Sequence, residues 1–239
     1  MSDVAFSTPH ITVLALTAGT AYVMSIAGRR ANPPGRKLRI TELTLAGILL
    51  LIYPIELYYK MERGYPLKDC LPLHLCDLAS YIGAYALITR RPLPSELIYF
   101  WGLAGTLQAL VTPASLGTPF PSIPFFLYFA HHSTIVITAI FVVAGRRDFP
   151  RPKAVIRMML WTQVYAISIG TINFILGSNY AFLREKPSAS ASLMDLLGPW
   201  PWYILSMQLV ALIFFTLLYL PFYPHNRRLV KNKLGANQE

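Results

Sequence analysis

Residues 97–145 read LIYFWGLAGTLQALVTPASLGTPFPSIPFFLYFAHHSTIVITAIFVVAG, 49 positions without one Asp, Glu, Lys or Arg. A helix crosses roughly 30 Å of hydrocarbon with about 20 apolar residues, so this run is too long for one crossing and long enough for two. Prolines at 113, 119, 121 and 124 interrupt it, and a proline removes a hydrogen bond from a helix interior. Two spans joined by an uncharged loop at 112–124 follow. Similar neutral runs cover 4–28, 158–183 and 196–226.

The whole chain matches this stretch. Of its 239 residues 54% are apolar and 13% charged, against about 25% charged in a soluble domain. The expectation is an all-α, polytopic membrane helix bundle forming one transmembrane domain over 1–239. Its seven spans lie near 10–27, 41–58, 71–88, 97–111, 125–144, 155–176 and 201–219.

Charge then orients the bundle. The net charge is +10, from 21 basic and 11 acidic residues. Sixteen basic residues follow spans one, three, five and seven, among them Arg29, Arg30, Arg90, Arg91, Arg146, Arg147, Arg151, Arg157, Lys231 and Lys233. The opposite loops carry five, Lys60, Arg63, Lys68, Arg184 and Lys186. The positive-inside rule puts the amino terminus outside and the carboxy terminus in the cytoplasm. Basicity accounted for by insertion and anionic lipid argues against a nucleic-acid partner. No cleavable signal peptide is visible: residues 1–9 lack a basic stretch, and Gly28-Arg29-Arg30 is not a small-residue cleavage site. The expected location is integral to a membrane, with several crossings.

Polar side chains within spans are costly and mark interior or wet positions. Glu56, His74, Cys76, Asp77, Gln108, His131, His132, Gln163, Asn173 and Gln208 are the candidates. Cys76 lies roughly 7–8 Å along span three and His131 about 9 Å along span five, both counted from outside. The two can therefore be level. A thiol beside an imidazole is the arrangement that yields a nucleophilic thiolate, and acyl transfer through a thioester is the corresponding chemistry. That reading needs no cofactor. Plainer roles stand beside it: a cysteine in an apolar helix serves as a small hydrophobe, the glutamines as interhelical hydrogen bonds, Glu56 as an interfacial anchor, and Trp200 as part of an aromatic belt. A metal site built from His74, Asp77 and His131 or His132 is a third reading, although no H-E-x-x-H motif is present.

Several stretches carry a resemblance. They are Leu71-Pro72-Leu73-His74-Leu75-Cys76, Tyr99 to Gly105 with Gln108-Ala109-Leu110 and Thr112-Pro113, Ala130-His131, and Asn179-Tyr180 with Phe182-Leu183 and Lys186-Pro187. The last comprises Ser192-Leu193, Asp195 and Leu197-Gly198-Pro199-Trp200-Pro201-Trp202-Tyr203. Together they resemble the bacterial YwaF-like membrane proteins and their eukaryotic relatives, the transmembrane protein 164 family. That resemblance implies a phospholipid-remodelling acyltransferase working through an acyl-cysteine, with Cys76 as nucleophile and His131 as base. His132 and Asp77 fall outside the family pattern. The resemblance also implies a bacterial cytoplasmic membrane, with membrane phospholipid and lysophospholipid as the expected partners at its outer leaflet. Gln108 and Asn173 are candidate oxyanion donors, and Asn179, Tyr180, Lys186 and Trp200 belong to an outer loop covering the head group, with Arg184 and Lys186 near its phosphate. A solute transporter or binding protein with an outward-facing polar cavity is the main non-enzymatic alternative, and a His/Asp metal-dependent membrane hydrolase the other enzymatic one.

Overall fold

A computed structural model describes residues 4–31, 35–113, 120–186 and 196–228. The described residues form seven helical rods and no strand. They are α1 (Thr8–Arg30), α2 (Arg36–Glu62), α3 (Leu75–Thr89), α4 (92–111), α5 (Ile123–Gly145), α6 (Ala154–Leu176) and α7 (Trp202–Tyr219). Five helical stretches are long and apolar enough to cross a bilayer: α1, α2, α5, α6 and the continuous Trp202–Arg228 that contains α7. The two remaining predicted spans differ for local reasons. Predicted span three starts at residue 71, but α3 begins only at Leu75 and has 15 residues. Its first turn is set by Asp77, whose carboxylate accepts the His74 backbone N–H at 3.1 Å, the reciprocal half of a capping box. Rod α4 consists of Pro92–Trp101, a π-helical turn at Gly102–Thr106 and Leu107–Val111.

The core lies among α2, α3, α4 and α5, where Leu49, Ala79, Leu87, Ile98, Phe100, Ile135 and Phe141 are buried. Helix α1 packs on α5, while α6 and α7 pair at the edge. On α7 the buried residues between 202 and 219 are Tyr203 and Phe215. Large apolar side chains point outward, such as Phe174 (86% exposed), Ile167 (70%) and Leu205 (63%). Exposed apolar surface of this extent on several apolar helices indicates a multi-pass membrane protein.

One end of the bundle is tied by charge. Glu42, with no exposed surface, meets Arg90 at 2.6 Å, Arg39 at 3.2 Å and Arg146 at 3.8 Å. Glu96 accepts from Arg151 and Arg157, each through two side-chain hydrogen bonds of 2.8–3.0 Å. In the loop after α5, burial lifts Asp148 above the ordinary carboxylate range, with Arg146 and Ser95 opposing the lift. A buried carboxylate is tolerable only when paired in this way. Some 14 residues further along α2 from Glu42, roughly 21 Å at helical rise, the other end opens into a cavity. Lys231, Lys233, Pro187, Ser192, Leu193, Asp195 and positions 114–119 of the uncharged loop lie outside the described residues.

Candidate functional site

The antiparallel course of the rods brings the end of α2, the start of α3, the end of α4 and the start of α5 to one level. Between them, closed on the far side by α6 and α7, lies a cavity of about 670 Å³, within the usual range for small-molecule sites. Glu56, His74, Cys76, Asp77, Gln108, His131, His132 and Gln208 all line it. Much of the remaining wall is apolar, with Ala104, Leu127, Val210, Ala211, Phe214 and Phe215.

His131 is the best-defined of these side chains. It is buried (1% exposed) and its Nδ1 lies 3.1 Å from Oε1 of Glu56. Because a carboxylate only accepts, Nδ1 carries the hydrogen, and in the neutral ring Nε2 carries the lone pair. That Nε2 is buried and has no hydrogen-bond partner. The neighbouring His132 points elsewhere: its Nδ1 pairs with the Tyr128 carbonyl at 2.7 Å and its ring stacks on Tyr128.

Cys76 follows the α3 cap and is half-buried. Its Sγ accepts the Thr106 hydroxyl at 3.6 Å. Thr106 closes the π-helical turn of α4, and such turns recur at functional positions. Sequence reasoning singled out neither Thr106 nor the Glu56–His131 pair. Composition had flagged Glu56 as an ionisable residue in a span, but its partner is 75 positions away. The thiol and His131 share the cavity without hydrogen-bonding to one another, which is common in sites that tighten only around substrate.

The other residues named from sequence divide into two groups. Gln108 lines the cavity while its Nε2 donates to the Ala104 carbonyl of its own helix at 2.7 Å. Gln163 donates to Gln208 at 2.7 Å, linking α6 to α7. Asn173, Asn179, Tyr180, Lys186 and Trp200 are not among the described lining residues. They hold the strap over it instead. Asn173 uses both amide atoms on Tyr180 and also accepts from Ser178, and the Tyr180 hydroxyl donates to the Lys68 carbonyl and accepts from the Leu71 N–H. Asn179 folds back on Arg184 and Glu185. Trp200 donates to the Leu183 carbonyl, and Tyr203 to that of Phe182. The strap residues Ala181, Phe182 and Leu183 line the cavity, and His74 packs between Tyr180 and Phe182 with Nδ1 accepting from Ala181 N–H at 3.4 Å.

Cations placed on the loop face other groups. Arg184 donates to the Asn173 and Ser178 carbonyls and Lys186 lies over the Tyr203 ring. Among the described residues, the cations lining the cavity are Lys60 and Arg63 at the end of α2, over tyrosine rings at 5.3 and 4.8 Å.

Fold and cavity together define a multi-pass helical membrane protein with a polar cluster buried at one end of an apolar-walled pocket. The chain matches the TMEM164 family over residues 5–219 and belongs to that family. It is also similar to an uncharacterized protein of Treponema pallidum (strain Nichols), 26% identical over 191 residues, covering 79% of this chain and 78% of that protein. No solved structure matches it.

Proposed function

We propose that this protein is a membrane-embedded lipid acyltransferase or transacylase that works through an acyl-cysteine, and a hydrolase when water takes the place of the acceptor. The observation that carries the reading is the polarity of His131. One ring nitrogen is committed to Glu56, while the other is buried and free on a cavity that also holds the Cys76 thiol. A nucleophile, a base and a group that orients the base are the elements of a triad.

In this mechanism His131 Nε2 takes the Cys76 proton and the thiolate attacks the ester carbonyl of a phospholipid. The tetrahedral intermediate collapses, the ester C–O bond breaks, and the lysolipid alkoxide leaves with the proton from His131. An acceptor hydroxyl then gives its proton to Nε2 and attacks the thioester, and the departing Cys76 thiolate regains that proton. Glu56 holds the imidazole in the required tautomer and stabilises its charged form. The acyl chain fits the apolar wall of Leu127, Val210, Ala211, Phe214 and Phe215, and the phosphate fits the Lys60 and Arg63 rim. With the amino terminus outside, the substrate is drawn from the outer leaflet.

The test is mass spectrometry of full-length protein incubated with mixed phospholipids and a chelator. A hydroxylamine-labile acyl mass on the Cys76 peptide is expected, lost in His131→Ala and retained in Cys70→Ala. Folded protein bearing the adduct equally in wild type and His131→Ala would remove the histidine from the mechanism, and an adduct abolished by Cys70→Ala alone would remove Cys76.

A further inference from the structure

Buried carboxylates elsewhere in this protein are matched by an excess of positive charge. Glu42 meets three arginines and Glu96 two. Glu56 and Asp77 are not matched in this way. Among the described residues neither forms an ion pair with an arginine or lysine, and Glu56 pairs only with His131. Yet one oxygen of each carboxylate and one ring nitrogen of His131 lie within 4.8 Å of one another, supplied by α2, α3 and α5. Two ionised carboxylates at this separation, with Asp77 and His131 buried, repel unless a cation lies between them or one of them takes up a proton. Even a protonated imidazole leaves the group one positive charge short. A divalent ion with a neutral imidazole brings it to zero. A second observation concerns the ring itself: His131 Nε2 is buried without a partner, so two hydrogen bonds do not lock the imidazole against turning toward a metal.

We propose that Glu56, Asp77 and His131 form a binding site for a divalent transition-metal ion of the zinc class. One imidazole nitrogen and two carboxylate oxygens are a borderline donor set that suits Zn²⁺ over Mg²⁺ or Ca²⁺, which take oxygen ligands alone. Bonds of about 2.0–2.2 Å put tetrahedral donors roughly 3.4 Å apart, so donors now within 4.8 Å of one another must close by up to about 1.4 Å. Glu56, the least buried of the three, supplies that movement. All three residues line the cavity, and zinc held by three protein ligands takes a fourth from water or substrate. Metal and proton compete for His131, so binding weakens in acid. A filled site withdraws the imidazole from Cys76 and switches the acylation off. The binding itself stands independently of the acyl-cysteine reading.

Full-length protein in detergent is stripped with chelator, equilibrated with ZnCl₂ and assayed for bound zinc by plasma mass spectrometry, with no lipid present. CoCl₂ is added in a parallel sample to read ligand type by absorption. About one zinc per chain is expected, at least tenfold weaker in Asp77→Asn and Glu56→Gln, and unchanged in Cys76→Ala and His74→Ala. Thermal unfolding identifies variants that have lost their fold. Glu56→Gln, at the most accessible of the three positions, carries the test should the others unfold. Folded wild-type protein without zinc overturns the proposal. So does equal affinity in Glu56→Gln, or a cobalt spectrum dominated by a thiolate band that Cys76→Ala removes. Because acylation is read with chelator and zinc without lipid, either proposal can fail alone.

Discussion

At the scale of single residues, the Glu56–His131 contact is the feature with most to lose. Glu56→Gln keeps size and shape but exchanges a carboxylate for an amide, which can present either a donor or an acceptor to Nδ1. The fixed tautomer and the stabilised imidazolium both go. We expect Cys76 acylation to slow on the order of 10²-fold or more with the unfolding temperature nearly unchanged. The measurement is the rate of thioester appearance under chelator, and an unaltered rate would leave Glu56 without a positioning role. Part of this cluster was legible beforehand. Span register alone puts Cys76 and His131 at one level, and both line one cavity. Hydrogen-bond partners were not legible, because they are long-range or backbone groups. Asn173 has the composition of an oxyanion donor, yet its amide is spent on Tyr180, and no spacing rule shows where a loop carbonyl will lie. The cavity cations were similarly hidden: Lys60 and Arg63 reach it from the end of α2, while Arg184 is drawn to the carbonyls of Asn173 and Ser178.

At the scale of elements, helix approach is set by small residues. On α1 the buried positions are His10, Thr17, Ala21, Ser25 and Gly28, a single helical face whose last three members are small. Small residues let helices pack closely where no hydrophobic effect drives them together. A Cβ on Gly28 would come within 2.9 Å of the Gly145 backbone on α5, and one on Gly145 would lie 2.7 Å from the Phe141 ring and 3.3 Å from Ser25 Cα. Gly28→Val should therefore force α1 off α5 and destabilise the protein by about 1–3 kcal/mol. A fall of several degrees in thermal midpoint would register it, with Gly19→Ala, where a Cβ meets nothing within 4 Å, as the control. Equal midpoints in both variants would mean that α1 is not held by this contact. Hydropathy located the five helical stretches that are long and apolar enough to cross a bilayer, because apolar length is written directly in composition. It did not locate the Gly102–Thr106 π-helical turn, which changes the hydrogen-bonding pattern without changing residue type and brings the Thr106 hydroxyl to the Cys76 sulfur.

At the scale of the molecule, the two ends are chemically different, and under the proposed acyl transfer that difference decides which leaflet supplies the substrate. One end gathers Arg39, Arg90, Arg146, Arg151 and Arg157 around Glu42 and Glu96. These guanidiniums serve two purposes, since the charges that pair buried carboxylates also bias insertion. The cavity end carries Lys60 and Arg63 at its rim and fewer basic residues overall. Because α2 runs from Glu42 at one end to Glu56 at the other, the orientation of any one rod orients the site. Retention of the basic end in the cytoplasm puts the carboxy terminus there too, and the cavity at the outer leaflet. A carboxy-terminal fluorescent-protein fusion should then be bright, and an alkaline phosphatase fusion at the same place inactive. A membrane-impermeant probe for lysine should reach Lys60 in intact cells, with Lys60→Arg as the control. The opposite pattern would place Cys76 and His131 on the cytoplasmic side, and substrate would have to come from the inner leaflet.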